Sequence, residues 1–281
     1  MTAHAAPRVG VRLSPLMVRV VSGVLLLLAV VGLILLGLWG IWIIVAALMG
    51  LALWEFRKLS EGMGFQAPTW LLFPLAFYLA FSGTLLKAIP LELVLALALI
   101  VGLTAFLFLP GRREGVGRWA MGLAGAVYLG LPMNYYLQLY TQATAGRGLS
   151  WLLLTILTAV ASDAAALLVG QRLGRHPFFA AISPKKTVEG ALGGIVLCVP
   201  VMLLGGVLFL GLKPWQAAIF GLLVGVSAEV GDLVESQMKR LAGVKDSSHL
   251  IPGHGGVLDR LDSLLFPPIV VYLCAHYLHL L

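Results

Sequence analysis

Runs of about twenty apolar residues recur along the whole chain, and no other feature limits its fold so sharply. A helix needs about 20 residues to cross a hydrocarbon core of ~30 Å, and in lipid every backbone amide must be satisfied within the spanning structure. Nine such runs are present, near residues 16–36, 39–56, 70–88, 90–109, 119–140, 150–170, 190–212, 214–235 and 263–281. Of 281 residues 60% are hydrophobic and 11% charged, and the mean hydropathy is +1.00. A soluble domain carries roughly 25% charged residues. The expected fold is all-α: a polytopic integral membrane protein of about nine transmembrane helices.

The placement of the cations orients these runs, because loops retained in the cytoplasm collect Lys and Arg. Arg8, Arg12 and Arg19 precede the first run or open it, Arg57 and Lys58 follow the second, and Arg112, Arg113 and Arg118 follow the fourth. Arg172, Arg175, Lys185 and Lys186 follow the sixth, and Lys239, Arg240, Lys245 and Arg260 the eighth, whereas Lys87, Arg147 and Lys213 stand singly in the intervening loops. The N-terminus is therefore expected in the cytoplasm and the C-terminus on the far side. The loops after the sixth and eighth runs then share the cytoplasmic face. This placement, together with attraction to anionic lipid, accounts for the net charge of +7 without nucleic acid as a partner.

The basic N-terminus and first apolar run continue into Trp39 and Trp42 without an A-x-A-like cleavage site, so they read as a retained helix rather than a signal peptide. Cys198 and Cys274 fall within apolar runs and read as small hydrophobes. No linker or repeat divides the chain. One membrane domain, 1–281, is expected, with scaffold helices in 1–150 and the catalytic helices and loops in 151–281. Eight of the twelve carboxylates lie at or after Asp163.

Residues 236–262, SQMKRLAGVKDSSHLIPGHGGVLDRLD, gather Lys239, Arg240, Lys245 and Arg260, Asp246, Asp259 and Asp262, His249 and His254, and the glycines at 253, 255 and 256. Cations, carboxylates and flexible backbone in one loop suit a polyphosphate with a divalent metal. Glu229, Asp232 and Ser236 follow at helical spacing along one face, with Glu235 beside it. Three carboxylates in seven residues need a counter-charge, from a metal or from Lys239 and Arg240. Asp259 and Asp262 share a face in turn, so Asp259 is placed to meet Asp232. Oxygen donors favour Mg²⁺ over zinc. His254, between glycines, suits a phosphate contact or a proton shuttle.

Asp163 interrupts an apolar run, where facing lipid would cost about 2.5–3.5 kcal/mol, so it is expected to face the protein interior. Ser183 and Pro184 read as the N-cap and first position of a helix. Lys185 and Lys186 would then oppose the helix dipole in its first turn. A bound phosphate on the free amides would resolve that conflict; lipid headgroups around lysines on the cytoplasmic side would do so equally.

The 236–262 segment resembles the C-terminal motif of phosphatidate cytidylyltransferases, also called CDP-diacylglycerol synthases. SPKKTVEG at 183–190, and the Asp163 helix followed by Gly170 and Gly174, extend the resemblance over roughly the last 120 residues. Ala164 and Leu167 stand where the family often has Thr and an aromatic residue, so those two side chains inherit no role. The resemblance implies transfer of the cytidylyl group of CTP to phosphatidic acid with Mg²⁺, and with room for a second cation. It implies Asp232, Asp259 and Asp246 as metal ligands, with Lys239, Lys245 and His254 joining them in catalysis. Substrate binding would fall to Asp163, Ser183, Lys185, Lys186, Thr187, Glu189, Arg240, Gly255, Gly256, Arg260 and Asp262.

The implied setting is a bacterial inner membrane, with the active site facing the cytoplasm, membrane lipids as surroundings and a homodimer as one compatible assembly. A CTP-dependent polyprenol or phytol kinase would use similar spans but move the γ-phosphoryl group, and the GHGG run leading into DRLD argues against it. A transporter would account for Asp163 but not for charge clustered in two loops on one side. A CDP-alcohol phosphotransferase would need a D-x-x-D-G-x-x-A-R run, which the sequence lacks.

Overall fold

The computed structural model describes residues 15–108, 114–250 and 255–281. Arg8, Arg12, Arg112, Arg113, Gly253 and His254 lie outside the described residues. The chain runs through α1 (Pro15–Ile34), α2 (Leu38–Gly62), α3 (Thr69–Phe81), α4 (Leu91–Phe108), α5 (Gly115–Gln142) and α6 (Gly148–Leu173). It continues through α7 (Val188–Gly205), prolonged as a π-helical segment (Gly206–Leu210), then α8 (Pro214–Leu241), the short α9 (Leu258–Leu261), a 3₁₀ turn (Asp262–Leu264) and α10 (Pro267–Tyr277). Among the described residues no strand forms, only an isolated bridge between Pro177 and Thr187.

Each of the nine apolar runs lies over a helix, but the helices are unequal. Among the described residues five are both long and apolar enough to cross a bilayer: α2, α4, α6, α7 with its π segment, and α8. The run expected to be helical over 70–88 stops at Phe81, where Ser82 begins a chain of turns and the Gly83 amide donates to Asn134 Oδ1 at 3.1 Å. The run expected from 263 opens as a 3₁₀ turn, and α10 begins only at Pro267–Pro268. A proline disfavours helical backbone at the residue before it and supplies no amide to the ladder, so it marks a fresh start.

Two apolar clusters hold the bundle. One joins α2, α3 and α5 around Leu53, Phe56, Leu72, Leu75 and Leu129, and takes in Leu258, Leu261 and Leu265 from the C-terminal segment. The other joins α6, α8 and α10 through Trp151, Phe220, Val224 and Val271. Within the second half α6, α7 and α8 touch backbone to backbone. A side chain at Gly194 would meet Ser162 O at 2.9 Å, and one at Gly221 would meet Val199 Cα at 2.7 Å. Such close approach is how helices associate where lipid removes the hydrophobic drive. It also brings the C-terminal halves of α6 and α8 and the start of α7 around a shared cleft.

Candidate active site

The loop from α6 to α7 folds back on itself. Phe178 N–H donates to Lys186 O and Val188 N–H to His176 O, both at 2.9 Å. Thr187 caps α7, its hydroxyl accepting from Gly190 N–H at 3.2 Å. Glu189 accepts from the Arg175 and His176 amides at 3.0 and 3.2 Å and pairs with the His176 ring. The helix therefore starts at Val188 and not at Pro184, because Thr187 and Glu189 supply both caps and anchor. Ser183 and Pro184 form a turn, and Lys185 and Lys186 precede the helix rather than opposing its dipole.

Lys186 crosses to α8. Its Nζ lies 2.7 Å from Glu229 Oε2 and 2.8 Å from Asp232 Oδ2, so one ammonium supplies the counter-charge that this acidic face requires. Burial disfavours the Lys186 charge, but Asp232 and Glu229 outweigh it and hold the ammonium above its ordinary pKa. Ser236 donates to Asp232 Oδ1 at 3.1 Å from the same helical face. A cleft of about 360 Å³ opens here, lined by Asp163, Lys185, Lys186, Thr187, Glu229 and Asp232 among others.

Asp163 accepts from Ser263 Oγ at 2.6 Å, and the Ser263 amide donates to Asp262 Oδ1 at 2.8 Å. Ser263 thus joins the α6 carboxylate to the C-terminal turn. That turn lies directly on α8, since a side chain at Gly231 would run into the Asp262 carbonyl. Burial, then the neighbouring Asp232, push the Asp262 carboxyl above the usual carboxylate range.

A second lysine sits deeper. Lys239 Nζ contacts Asp259 Oδ1 at 2.8 Å and Glu235 Oε1 at 3.2 Å. Asp259 also accepts from Ser247 N–H, from Ser247 Oγ at 2.9 Å and from Gly256 N–H at 2.8 Å. Burial works against its charge, yet Lys239 and these donors hold it below the ordinary range. Arg240 ties the two loops together, donating to Ile182 O at 3.0 Å and Val244 O at 3.2 Å. Lys245, Asp246 and Arg260 are exposed, and Gly255 has the positive φ of 85° that glycine accommodates.

The structure thus assembles Asp163, Lys185, Lys186, Thr187 and Asp232 around one cleft, with Asp262 joined to Asp163 through Ser263. It does not assemble Asp232, Asp246 and Asp259 as a ligand set. Among the described residues no group of three His, Cys, Asp or Glu side chains is disposed to hold a metal. Asp259 would have to release Lys239 or its amide donors to become a ligand. Sequence reasoning assigned no role to Glu229, although its place on the acidic face was legible. It missed Glu55 of α2 altogether, whose carboxylate accepts from Ser247, Ser248, Val257 and Leu258. The available signal was a carboxylate between Trp54 and Phe56 at the edge of an apolar run, the same signal that singled out Asp163.

The sequence profile of the cytidylyltransferase family matches residues 17–278, almost the whole chain. The chain belongs to the cytidylyltransferase family. The phosphatidate cytidylyltransferase of Staphylococcus haemolyticus is 35% identical over 187 residues, covering 66% of this chain and 69% of that protein. That of Staphylococcus aureus (strain COL) is 34% identical over the same length and coverage. The enzyme of that name from Mycobacterium tuberculosis (strain H37Rv) is 41% identical over 118 residues, 42% of this chain and 36% of that protein. For a cytidylyltransferase the cleft offers what a nucleotide polyphosphate demands: ammonium groups to neutralise phosphates, and carboxylates able to share a cation with them.

Proposed function

We propose that this cytidylyltransferase transfers the cytidylyl group of CTP to phosphatidic acid, giving CDP-diacylglycerol and pyrophosphate for phospholipid synthesis. One observation carries the reading: Lys186 from the 183–190 motif and Asp232 from α8 meet at 2.8 Å inside a cleft that also holds Asp163 and Lys185. Relatives at 34–41% identity bear the name of this activity.

An oxygen of the lipid phosphate attacks the α-phosphorus of CTP, and the bond to the pyrophosphate oxygen breaks as the electron pair leaves with pyrophosphate. The nucleophile is already ionised, so general-base help matters little and positioning with charge neutralisation carries the catalysis. Lys185 and Lys186 take nucleotide or lipid phosphate, and Lys245, Arg260 and Gly255 serve phosphates from the other loop, with His254, while the buried Gly256 amide stays on Asp259. Lys239 and Arg240 hold that loop against α8 and the 174–187 turn.

Mg²⁺ fits the donor set. Glu229 Oε2 and Asp232 Oδ2 already converge on one cationic nitrogen at 2.7 and 2.8 Å, and Mg²⁺ is commonly held by one or two carboxylates with substrate phosphates completing its shell. When bound it would offset charge on the nucleotide phosphates. Asp246, exposed beside Lys245, is the candidate for a further oxygen donor.

The reading places nine spans in a bacterial inner membrane, with the N-terminus and the cleft on the cytoplasmic side. The test uses purified protein in detergent with Mg²⁺, phosphatidic acid or a polyprenol, and CTP labelled at the α or the γ phosphorus. Mg²⁺-dependent appearance of α-label in phosphatidic acid product is expected. Label from the γ position in lipid would make the protein a kinase, and transfer of neither label by folded protein would remove both enzyme readings for these substrates.

A further inference from the structure

Glu55 is fully buried in α2, in the half of the chain that forms the scaffold. Among the described residues, its four hydrogen-bond donors all come from residues 192 to 203 positions later in the chain. Ser247 Oγ donates at 3.1 Å, Val257 N–H at 3.0 Å and Leu258 N–H at 2.6 Å, and Ser248 Oγ makes the fourth contact. These donors flank the glycine-rich segment, two before it and two after it. A single carboxylate therefore gathers both ends of the loop.

The packing around it leaves no slack. A side chain at Gly256 would run into the Ser247 hydroxyl and the Glu55 carboxylate together. Ser247 Oγ lies within reach of Asp259 as well, at 2.9 Å, and Asp259 holds Lys239 at 2.8 Å. Loop geometry, Asp259 and Lys239 are thus set from one buried acceptor. A buried carboxylate that lost these donors would be left in an apolar cluster with Phe56 and Leu53, so the loop cannot drift from it without a heavy desolvation penalty.

We propose that Glu55 is a positioning residue for cytidylyl transfer, pinning Ser247 and Ser248 on one side and Val257 and Leu258 on the other to α2, so that the flanking Lys245 and Arg260 meet CTP in fixed geometry. The proposal rests on the reading above that this loop serves substrate phosphates, and assigns those phosphates to CTP. Glu55 itself touches no reacting atom. Its effect passes through Ser247, Asp259 and the backbone at 256–258.

The test uses the full chain in detergent, comparing the wild type with Glu55→Gln, which keeps the shape but offers one acceptor oxygen and adds an N–H facing donors. Because groups that orient a functional shell are commonly worth roughly 10–100-fold, kcat/KM for CTP should fall by that factor. KM for phosphatidic acid should stay within about twofold, since the lost interaction acts on the nucleotide side. Backbone hydrogen exchange over 247–258 should quicken, while exchange over α6 and α8 stays as in the wild type. Glu55→Asp, with both oxygens retained, should recover part of the loss.

A merely structural role would lower the active fraction and leave both KM values and local exchange unchanged in the folded remainder. That result, or an unaltered kcat/KM for CTP, overturns the proposal. Should Glu55→Gln fail to fold, Ser248→Ala removes one donor only, and the same shift in CTP kinetics and loop exchange at smaller size is expected; no shift in either overturns the proposal. Absence of label transfer by the wild type would count against the reaction assigned above. Loop exchange would still decide whether Glu55 does the pinning.

Discussion

Two lysines each hold two carboxylates, Lys186 those of Glu229 and Asp232 on α8 and Lys239 those of Glu235 on α8 and Asp259 on α9, and in the proposed reaction the difference between their surroundings separates reagent from framework. Lys186 reaches Glu229 and Asp232 at the wall of a cleft, with part of its side chain exposed and Asp232 accepting also from Ser236. Lys239 is buried, and its partner Asp259 spends its remaining acceptor capacity on Ser247 and Gly256. A charge pair at a cleft can trade partners with an incoming phosphate and cation. A buried pair tied to backbone amides gives up its geometry only by unfolding that geometry.

The largest effect that would break this comparison lies in the buried cluster. Asp259→Asn should cost about 3–5 kcal/mol of stability, as expected when one member of a buried ion pair is removed, read as a lower melting temperature in detergent. The Asp259 carboxyl is held below its ordinary range, so its contribution is full above the unfolded pKa and is lost as pH falls through the lower folded one. Acid destabilisation below about pH 4, near where unperturbed Asp titrates, should be shallower in the variant. An unchanged melting temperature with lost activity would instead make Asp259 a ligand and put both clusters in one class. Next in size, Asp232→Asn should keep its melting temperature but lose about 10²–10³ in transfer rate, the usual worth of one electrostatic group aimed at developing charge. Raised Mg²⁺ should return part of that loss, and full activity at ordinary Mg²⁺ would free Asp232 from the chemistry.

The contrast between these lysines was only half legible in the sequence. Helical spacing put Glu229, Asp232 and Ser236 on one face because three- and four-residue offsets are local properties of a helix, and the structure places them so. What neutralises that face is not local. Lys239 and Arg240, nearest in sequence, point to Glu235, Asp259 and the loop carbonyls, whereas Lys186 arrives from 43 residues away in the chain. The start of α7 was misplaced for a related reason: Ser183–Pro184 has good capping chemistry, but Thr187 has the bridge to Pro177 and the Glu189 anchor beside it. The apolar runs fixed where helices form, because length and hydropathy act within each segment. They did not reveal that α10 would begin only at Pro267, nor that α2 would lend Glu55 to a loop at the other end of the chain.

The cleft lysines themselves should give the smaller effects, and their ratio sharpens the comparison furthest. Lys186→Met removes a charge that holds two carboxylates and, in the proposed reaction, a phosphate; transfer should fall by roughly 10–100-fold, in the range of lost charge-assisted contacts. Without its ammonium, Glu229 and Asp232 face each other uncompensated, so the variant should bind Mn²⁺ in the absence of nucleotide more tightly than the wild type, measurable by electron paramagnetic resonance. In the proposed reaction Lys185, exposed at the same cleft, acts through solvent. Lys185→Ala should cost only a few-fold at low salt, and the deficit should shrink as ionic strength rises and the Debye length falls from about 10 Å towards 3 Å. Equal, salt-independent losses for the two variants would mean that both ammonium groups are desolvated against substrate, and the boundary between reagent and framework would then run between α8 and the loop rather than between the two lysines.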